Sequence, residues 1–200
     1  MPNDAQTLAE RIEAITWFHS IDLQNGLVTK GPKPAALLAA EGEGVFGPLE
    51  IEGCSLLDIG AWNGFFSVEG WRRGAASVLA VDEFVWTHPM FKGRESIEIV
   101  RDALGADIQL QQAGIAETVP ENVGHHDVVL FLGVFYHLFN APEDLRRVSA
   151  CARDVLVVET HQDALDVPRP AMIFYPGNIL NNDPTNWWGP NRRCMFDLLT

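Results

Sequence analysis

Ser55-Leu56-Leu57-Asp58-Ile59-Gly60-Ala61-Trp62-Asn63-Gly64-Phe65-Phe66-Ser67 is the stretch on which the fold turns. A short apolar run (Leu56, Leu57, Ile59) ends in a glycine-bearing turn, and a helical pattern follows. This is the strand, tight turn and helix that open a parallel α/β domain. Gly60 lets the backbone turn sharply, and Gly64 lets the next helix begin close to the strand or to a ligand. Such a turn aims the N–H groups of the first helical residues over the sheet's C-terminal edge, where open α/β folds bind cofactors. The spelling is D-x-G-x-x-x-G. A dinucleotide fold wants G-x-G-x-x-G, with a middle glycine for the pyrophosphate. A carboxylate at Asp58 repels a pyrophosphate but suits a cationic amino-acid group, so a nicotinamide oxidoreductase is the weaker alternative.

Working outward, Ala76 to Val81 reads as a second strand, closed by Asp82 and Glu83. Asp82 stands where a βαβ unit ends its second strand, and a carboxylate there can accept two hydrogen bonds from a ribose diol. The plainer alternative is that Asp82 only begins a loop. Gly93 to Leu104 has helical spacing, and Asp107 to Gln112 alternates as a third strand. Asp127 to Leu138 is a buried fourth strand with a polar, aromatic exit. Pro142 to Cys151 is a helix, and Asp154 to Glu159 a fifth strand.

The D-x-G-x-x-x-G stretch at 58–64 resembles the first motif of class I S-adenosylmethionine-dependent methyltransferases. The resemblance implies a Rossmann-like, doubly wound α/β sheet of strand order 3-2-1-4-5 and S-adenosyl-L-methionine as cofactor. It implies that Asp58 lies near the methionine ammonium, that Gly60, Ala61, Trp62 and Gly64 shape the floor, and that Asp82 takes the ribose. The segment after the third strand holds the adenine in that family, which points to Ile115 and Ala116, with Glu117 third; a plain loop is the alternative. The words G-V-F-Y-H-L (133–138) and G-I-A-E (114–117) are similar to the subgroup of tRNA wobble-uridine carboxymethyl-transferring enzymes and related small-molecule methyltransferases. They add Gly133 and Tyr136 to the cofactor side. The resemblance spans roughly residues 16 to 200. The chain departs from the tRNA enzymes in lacking a basic N-terminal extension and in carrying Leu138 where a tRNA-modifying relative tends to have arginine. Lys30 could echo a lysine that holds a carboxylated cofactor, but a lone loop lysine is more often solvated, so ordinary S-adenosylmethionine is expected.

Charge points the same way. Fourteen basic residues stand against 27 acidic ones, net −13, a poor match for a phosphate backbone. Nucleic acid is therefore an unfavoured substrate and a small molecule the expected methyl acceptor. Cys54, Cys151 and Cys194 are odd in number and far apart, as reduced thiols of a cytoplasmic protein would be. The longest apolar run, Val128 to Phe139, is broken by Tyr136 and His137 and is too short for a bilayer. His125-His126 is not at a ligand spacing, so no metal is expected.

Ala5 to Ile15 has helical spacing with Asp4 as N-cap. Thr16 to Leu23 is aromatic and polar, followed by a turn at Asn25-Gly26. Residues 1–53 are thus an N-terminal segment that either forms a lid or packs on the side of the methyltransferase domain, 54–200. Pro34 to Ala40 is a short helix closed by Gly42, and Val85 to Phe91 an aromatic loop. The Pro- and Asn-rich stretch within 161–190, with Trp187 and Trp188, is expected to cover the substrate or, alternatively, to pack before the last helix. Pro190 would open that helix, with Cys194, Met195, Leu198 and Leu199 as its apolar face. The last two of the usual seven strands are missing from the chain, which leaves the fifth strand for a partner or a second copy to cover.

Methyl transfer from a sulfonium is largely positioning. Tyr136 and Phe65 are the rings expected near the sulfonium. If the acceptor is a hydroxyl it needs a base, and His137 is first choice by placement and reference pKa; a structural histidine at a strand end is the alternative. His19, Asp22 and His161 follow. A module that binds the cofactor without turnover is the remaining alternative.

Overall fold

The structure is a computed structural model that describes residues 7–24 and 26–200. It divides into two compact units, one up to Gly114 and one from Ile115 onward.

The first unit opens with α1 (Leu8–Glu13). Thr7 caps it with a reciprocal pair: its hydroxyl accepts from the Glu10 N–H at 3.3 Å, and the Glu10 carboxylate accepts from the Thr7 N–H at 2.8 Å. The helix is shorter than its spacing predicts, and Asp4 lies outside the described residues. Beyond it the chain is extended. Ile15, Trp17, His19, Ile21 and Leu23 are buried at every second position, the period of a strand. The buried Thr29 hydroxyl holds this segment, donating to the His19 carbonyl at 2.7 Å and accepting from the Ile21 N–H at 2.8 Å. Asn25 of the expected turn lies outside the described residues.

α2 (Ala35–Phe46) runs on past Gly42, where the sequence predicted a stop. Leu38, Gly42 and Phe46 form its buried face, with the Phe65 ring 3.8 Å from where a Gly42 side chain would start; that packing outweighs glycine's poor helix propensity. β1 (Ser55–Ile59) then leads into α3 (Phe65–Arg72), and β2 (Ser77–Asp82) follows. The predicted aromatic loop contains a short helix, α4 (Phe84–Thr87). α5 (Gly93–Leu104) has the predicted bounds, and β3 (Gln109–Gln112) starts two residues late. β2 pairs in parallel with both β1 and β3, with Asp58 opposite Ala80 and Asp82 opposite Gln112. Gly64 opens α3 in a left-handed conformation that favours glycine. Its φ is +82°, and a side chain there would begin 2.8 Å from Ile97.

The second unit starts with a 3₁₀ turn (Ile115–Glu117) and α6 (Pro120–Val123). β4 (His126–Leu132) ends in a second 3₁₀ turn, Phe135–His137. α7 (Ala141–Ser149) returns the chain to β5 (Ala152–Glu159), which pairs in parallel with β4. The stretch expected to be irregular holds a small antiparallel hairpin, β6 (Met172–Phe174) and β7 (Trp188–Pro190). Pro190 therefore ends a strand. α8 (Arg192–Leu199) is opened instead by Asn191, whose side chain accepts from the Cys194 N–H at 2.8 Å. The Asn191 amide group also donates to the carbonyls of Arg169 and Val167, at 2.8 and 3.1 Å. Of the predicted apolar face of α8 only Met195 is buried.

The five main strands lie in the order β3-β2-β1-β4-β5, with β6 and β7 forming a separate two-stranded sheet. This is the α/β, doubly wound order that the resemblance implies. Among the described residues no helix is long and apolar enough to cross a membrane.

Candidate functional site

In the first unit the loop between β1 and α3 is held by its own backbone. Gly60 and Ala61 N–H groups donate to the Val81 carbonyl at 2.8 and 3.2 Å, and Gly64 N–H to the Ala61 carbonyl at 2.7 Å. Trp62 N–H donates to one Asp82 oxygen at 3.0 Å, and Val85 N–H to the other at 3.3 Å. Asp82 thus fastens the glycine loop to the end of β2. A carboxylate has about four acceptor positions, so capacity for a diol remains. Asp58 is 3% exposed and accepts from the Ser67 hydroxyl at 2.6 Å. Burial pushes its pKa up to about 6, against the lowering effect of Ser67 and with a further rise from the charge of Asp82. Burial likewise raises Asp82 to about 6, against the backbone N–H groups that favour its charge. Among the described residues neither acid has a basic partner within ion-pair distance.

Trp62 adopts a left-handed backbone, φ +46°. Its indole stacks on Phe18 at 4.3 Å between centroids and 4° between planes, and meets the edge of Phe91 at 5.6 Å. The indole N–H is buried without a partner among the described residues, while the Trp62 carbonyl accepts from Trp86 Nε1 at 2.9 Å. The extended N-terminal segment is tied to this loop by Asn63, which sequence reasoning missed. The Asn63 side-chain oxygen accepts from the N–H groups of Phe18 (2.8 Å) and His19 (3.3 Å), and its amide donates to Ser96 Oγ at 2.6 Å. The only sequence signal was its position between the two glycines. The segment is thus buried at alternate positions and fastened to the loop through Asn63.

His19, a candidate base, is buried among Phe18, Phe65 and Phe66 at 5.0–6.4 Å between ring centroids. Burial, with the Lys33 charge adding to it, lowers its pKa to about 3, and its Nδ1 has no partner among the described residues. It is a neutral ring in an aromatic box. Asp22 is exposed and turns back to the Gln24 N–H at 2.8 Å. Lys30 is exposed.

In the second unit Ile115 (half-buried) and Ala116 (exposed) form the first 3₁₀ turn. Gly133, with φ +70°, donates its N–H to the Glu159 carbonyl at 3.1 Å. The Tyr136 hydroxyl and a Glu159 carboxylate oxygen lie 3.6 and 3.7 Å from where a Gly133 side chain would start. A tyrosine, a carboxylate and a bare glycine therefore converge at the C-terminal ends of β4 and β5. Burial pushes Tyr136 up to about 12, and the charges of Glu159 and Asp183 add to the rise. His137 lies against the Tyr136 ring at 4.3 Å. Its Nδ1 is 2.9 Å from Thr185 Oγ1 and 3.2 Å from the Thr185 carbonyl, and burial lowers its pKa. Thr185 and Asp183 were not legible as site residues, although D-x-T within an Asn-rich loop carries the signal of an Asx turn.

His161 stands 3.4 Å from the Tyr175 hydroxyl, which donates to Asp163. Trp187 and Trp188 pack around the hairpin. Trp187 donates its N–H to the Tyr136 carbonyl at 2.8 Å and stacks on Phe174, while Trp188 Nε1 donates to the Phe139 carbonyl at 3.1 Å. Among the described residues no group of three or more His, Cys, Asp or Glu is arranged to hold a metal ion.

No family model matches the chain. Solved structures do. The N-terminal domain of EvdMO1, determined in the presence of SAH (S-adenosylhomocysteine) and D-fucose, superposes with a TM-score of 0.69 at 17% identity, over 96% of this chain and 83% of that one. Coclaurine N-methyltransferase, bound to N-methylheliamine and SAH, gives 0.64 at 15% identity, over 94% and 54%. The fold is that of the class I S-adenosylmethionine-dependent methyltransferases. In sequence, the chain is similar to a tRNA U34 carboxymethyltransferase of Geobacter sp. (strain M21), 30% identical over 128 residues. That match covers 59% of this chain but only 37% of the relative, so the chain spans well under half the length of the curated protein it resembles.

Proposed function

We propose that the protein is an S-adenosyl-L-methionine-dependent methyltransferase that acts on oxygen or nitrogen of a small molecule. The observation that carries this reading is a pair of buried acids, Asp58 and Asp82, on either side of a glycine loop and without a basic partner. Carboxylates in that position are costly unless a ligand compensates them. A ligand that brings an ammonium to one and a ribose diol to the other fits both. The unpaired indole N–H of Trp62 is a further unused donor in the same loop.

In this reading Asp58 would hold the ammonium, Asp82 the ribose, and Gly60, Ala61, Trp62 and Gly64 the floor. Bound S-adenosylmethionine supplies an electrophilic methyl group on a sulfonium; the chain's own part is to position an acceptor and to receive its proton. His137 is the preferred receiver, because burial favours the neutral form of its half-buried ring in the turn that follows β4.

Calorimetry with S-adenosylhomocysteine tests the assignment. Wild-type protein should bind, and Asp58→Ala and Asp82→Ala should each weaken binding about tenfold or more, the scale of one lost charge-assisted hydrogen bond. Wild-type affinity in both variants would sink the site assignment.

The curated tRNA relative favours a second reading, in which the acceptor is a wobble uridine. The net charge of −13 speaks against it, since tRNA affinity depends on Lys and Arg. Methyl incorporation into bulk tRNA, absent from small-molecule extracts, would decide for tRNA.

A further inference from the structure

The side chains around His137 determine which of its nitrogens carries the proton. Thr185 has one hydroxyl hydrogen, and it goes to Asp183: Oγ1 donates to Asp183 Oδ1 at 2.7 Å. The same Asp183 oxygen accepts from the Thr185 N–H at 2.8 Å, closing the turn. With its hydrogen spent, Thr185 Oγ1 can only accept from His137 Nδ1, 2.9 Å away. The second neighbour of Nδ1 is the Thr185 carbonyl at 3.2 Å, which accepts and never donates. Both contacts require hydrogen on Nδ1. In a neutral imidazole that leaves the lone pair on Nε2, and Nε2 has no hydrogen-bond partner among the described residues.

We infer that Asp183 and Thr185 are positioning residues that lock His137 as the Nδ1–H tautomer and so make Nε2 a proton acceptor for a hydroxyl substrate. This rests on the methyltransferase reading for its use, though not for its geometry. In the proton step the acceptor's O–H bond breaks, its electron pair stays on oxygen, and a new N–H bond forms at Nε2. The resulting imidazolium keeps its Nδ1–H on Thr185, and the Asp183 carboxylate, two bonds further on, offsets the new charge. An acceptor hydroxyl needs such a group. An amine that attacks in its neutral form can lose its proton to water afterwards, so the arrangement favours oxygen as the methylated atom.

Long-range ¹H–¹⁵N correlation spectra of the whole ¹⁵N-labelled chain, without ligand, read the tautomer directly; the His137 signals are those absent from His137→Gln. The expected result is a dominant Nδ1–H form in the wild type. Thr185→Val and Asp183→Ala should move the ring to a mixed population, the first by removing the hydroxyl and the second by freeing its hydrogen to point at Nδ1. Thr185→Ser and Asp183→Asn, which keep the same acceptor chain, should retain the wild-type spectrum. A dominant Nε2–H form in the wild type, or a wild-type spectrum in both disruptive variants, would overturn the inference. If Thr185→Val does not fold, the wild-type tautomer and the Asp183→Ala comparison still decide it. Binding of S-adenosylhomocysteine on the same samples reports separately. No binding with the Nδ1–H form intact would remove the methyltransferase reading and leave the tautomer assignment standing.

Discussion

The first unit buries Asp58, Asp82 and His19 with no ion-pair partner among the described residues, whereas the second links His137 to Asp183 through Thr185. Asp58, Asp82 and His19 are each shifted chiefly by loss of water. His137, Thr185 and Asp183 form a chain of side-chain hydrogen bonds. Tyr136 is raised chiefly by burial, with the charges of Glu159 and Asp183 adding to it. Isolation makes the first set sensitive to any ligand that brings a compensating charge. Linkage makes the second set hold a defined proton pattern before any ligand arrives.

The largest effect that would break this contrast is expected from Gly31→Ala. A side chain there would begin 2.3 Å from the Phe18 backbone, which cannot give way as a flexible side chain could. Urea titration should show a loss of about 3 kcal/mol or more, the upper range for overpacking, together with weaker S-adenosylhomocysteine binding as the N-terminal segment leaves the loop. Next comes Asn63→Ala, which strips partners from the Phe18 and His19 N–H groups and from Ser96. A loss of about 3 kcal/mol is expected from several unmet buried groups. An unchanged urea midpoint would mean that the segment is not held by this amide.

The smallest effects are in pH dependence and sharpen the comparison. Asp58 rises in the folded state from 3.8 to about 6, so between those values the folded protein binds more protons than the unfolded one. Stability therefore falls as pH rises through that window, by a contribution of about 3 kcal/mol at most. Asp58→Asn should flatten that fall. His19 is lowered from 6.5 to about 3; there the unfolded chain binds more protons, and stability rises with pH over the window. His19→Asn should steepen the fall between pH 4 and 6 by removing the opposing slope. Parallel slopes for both variants and wild type would show that neither group is buried in solution as described.

The parts of the fold that were legible are those where local chemistry and tertiary packing agree. Asp58-Ile59-Gly60 and Gly64 specify a strand end and a turn by themselves, and the apolar spacing of Ile97, Val100 and Leu104 gave α5 its bounds. Gly42 misled because its helix is decided by the Phe65 ring across from it, not by propensity. Asn191 is a preferred N-cap residue standing directly after a proline, and the proline drew the boundary two residues too early. The Trp187–Trp188 stretch reads as irregular from composition because a three-residue hairpin leaves too short an alternation to detect. His137 and Thr185 are 48 positions apart in the chain, so no spacing rule could pair them. Asn63 was passed over because its partners, Phe18 and His19, reach it only through backbone N–H groups, which leave no trace in side-chain identity.

The Asn63 amide has a practical consequence for anyone who trims this protein. Cutting the first two dozen residues to obtain a minimal catalytic core would strip the indole of Trp62 of its stacking partner and leave the loop's amide oxygen facing solvent. The shortened product should be expected to express as a looser species, however complete its sheet.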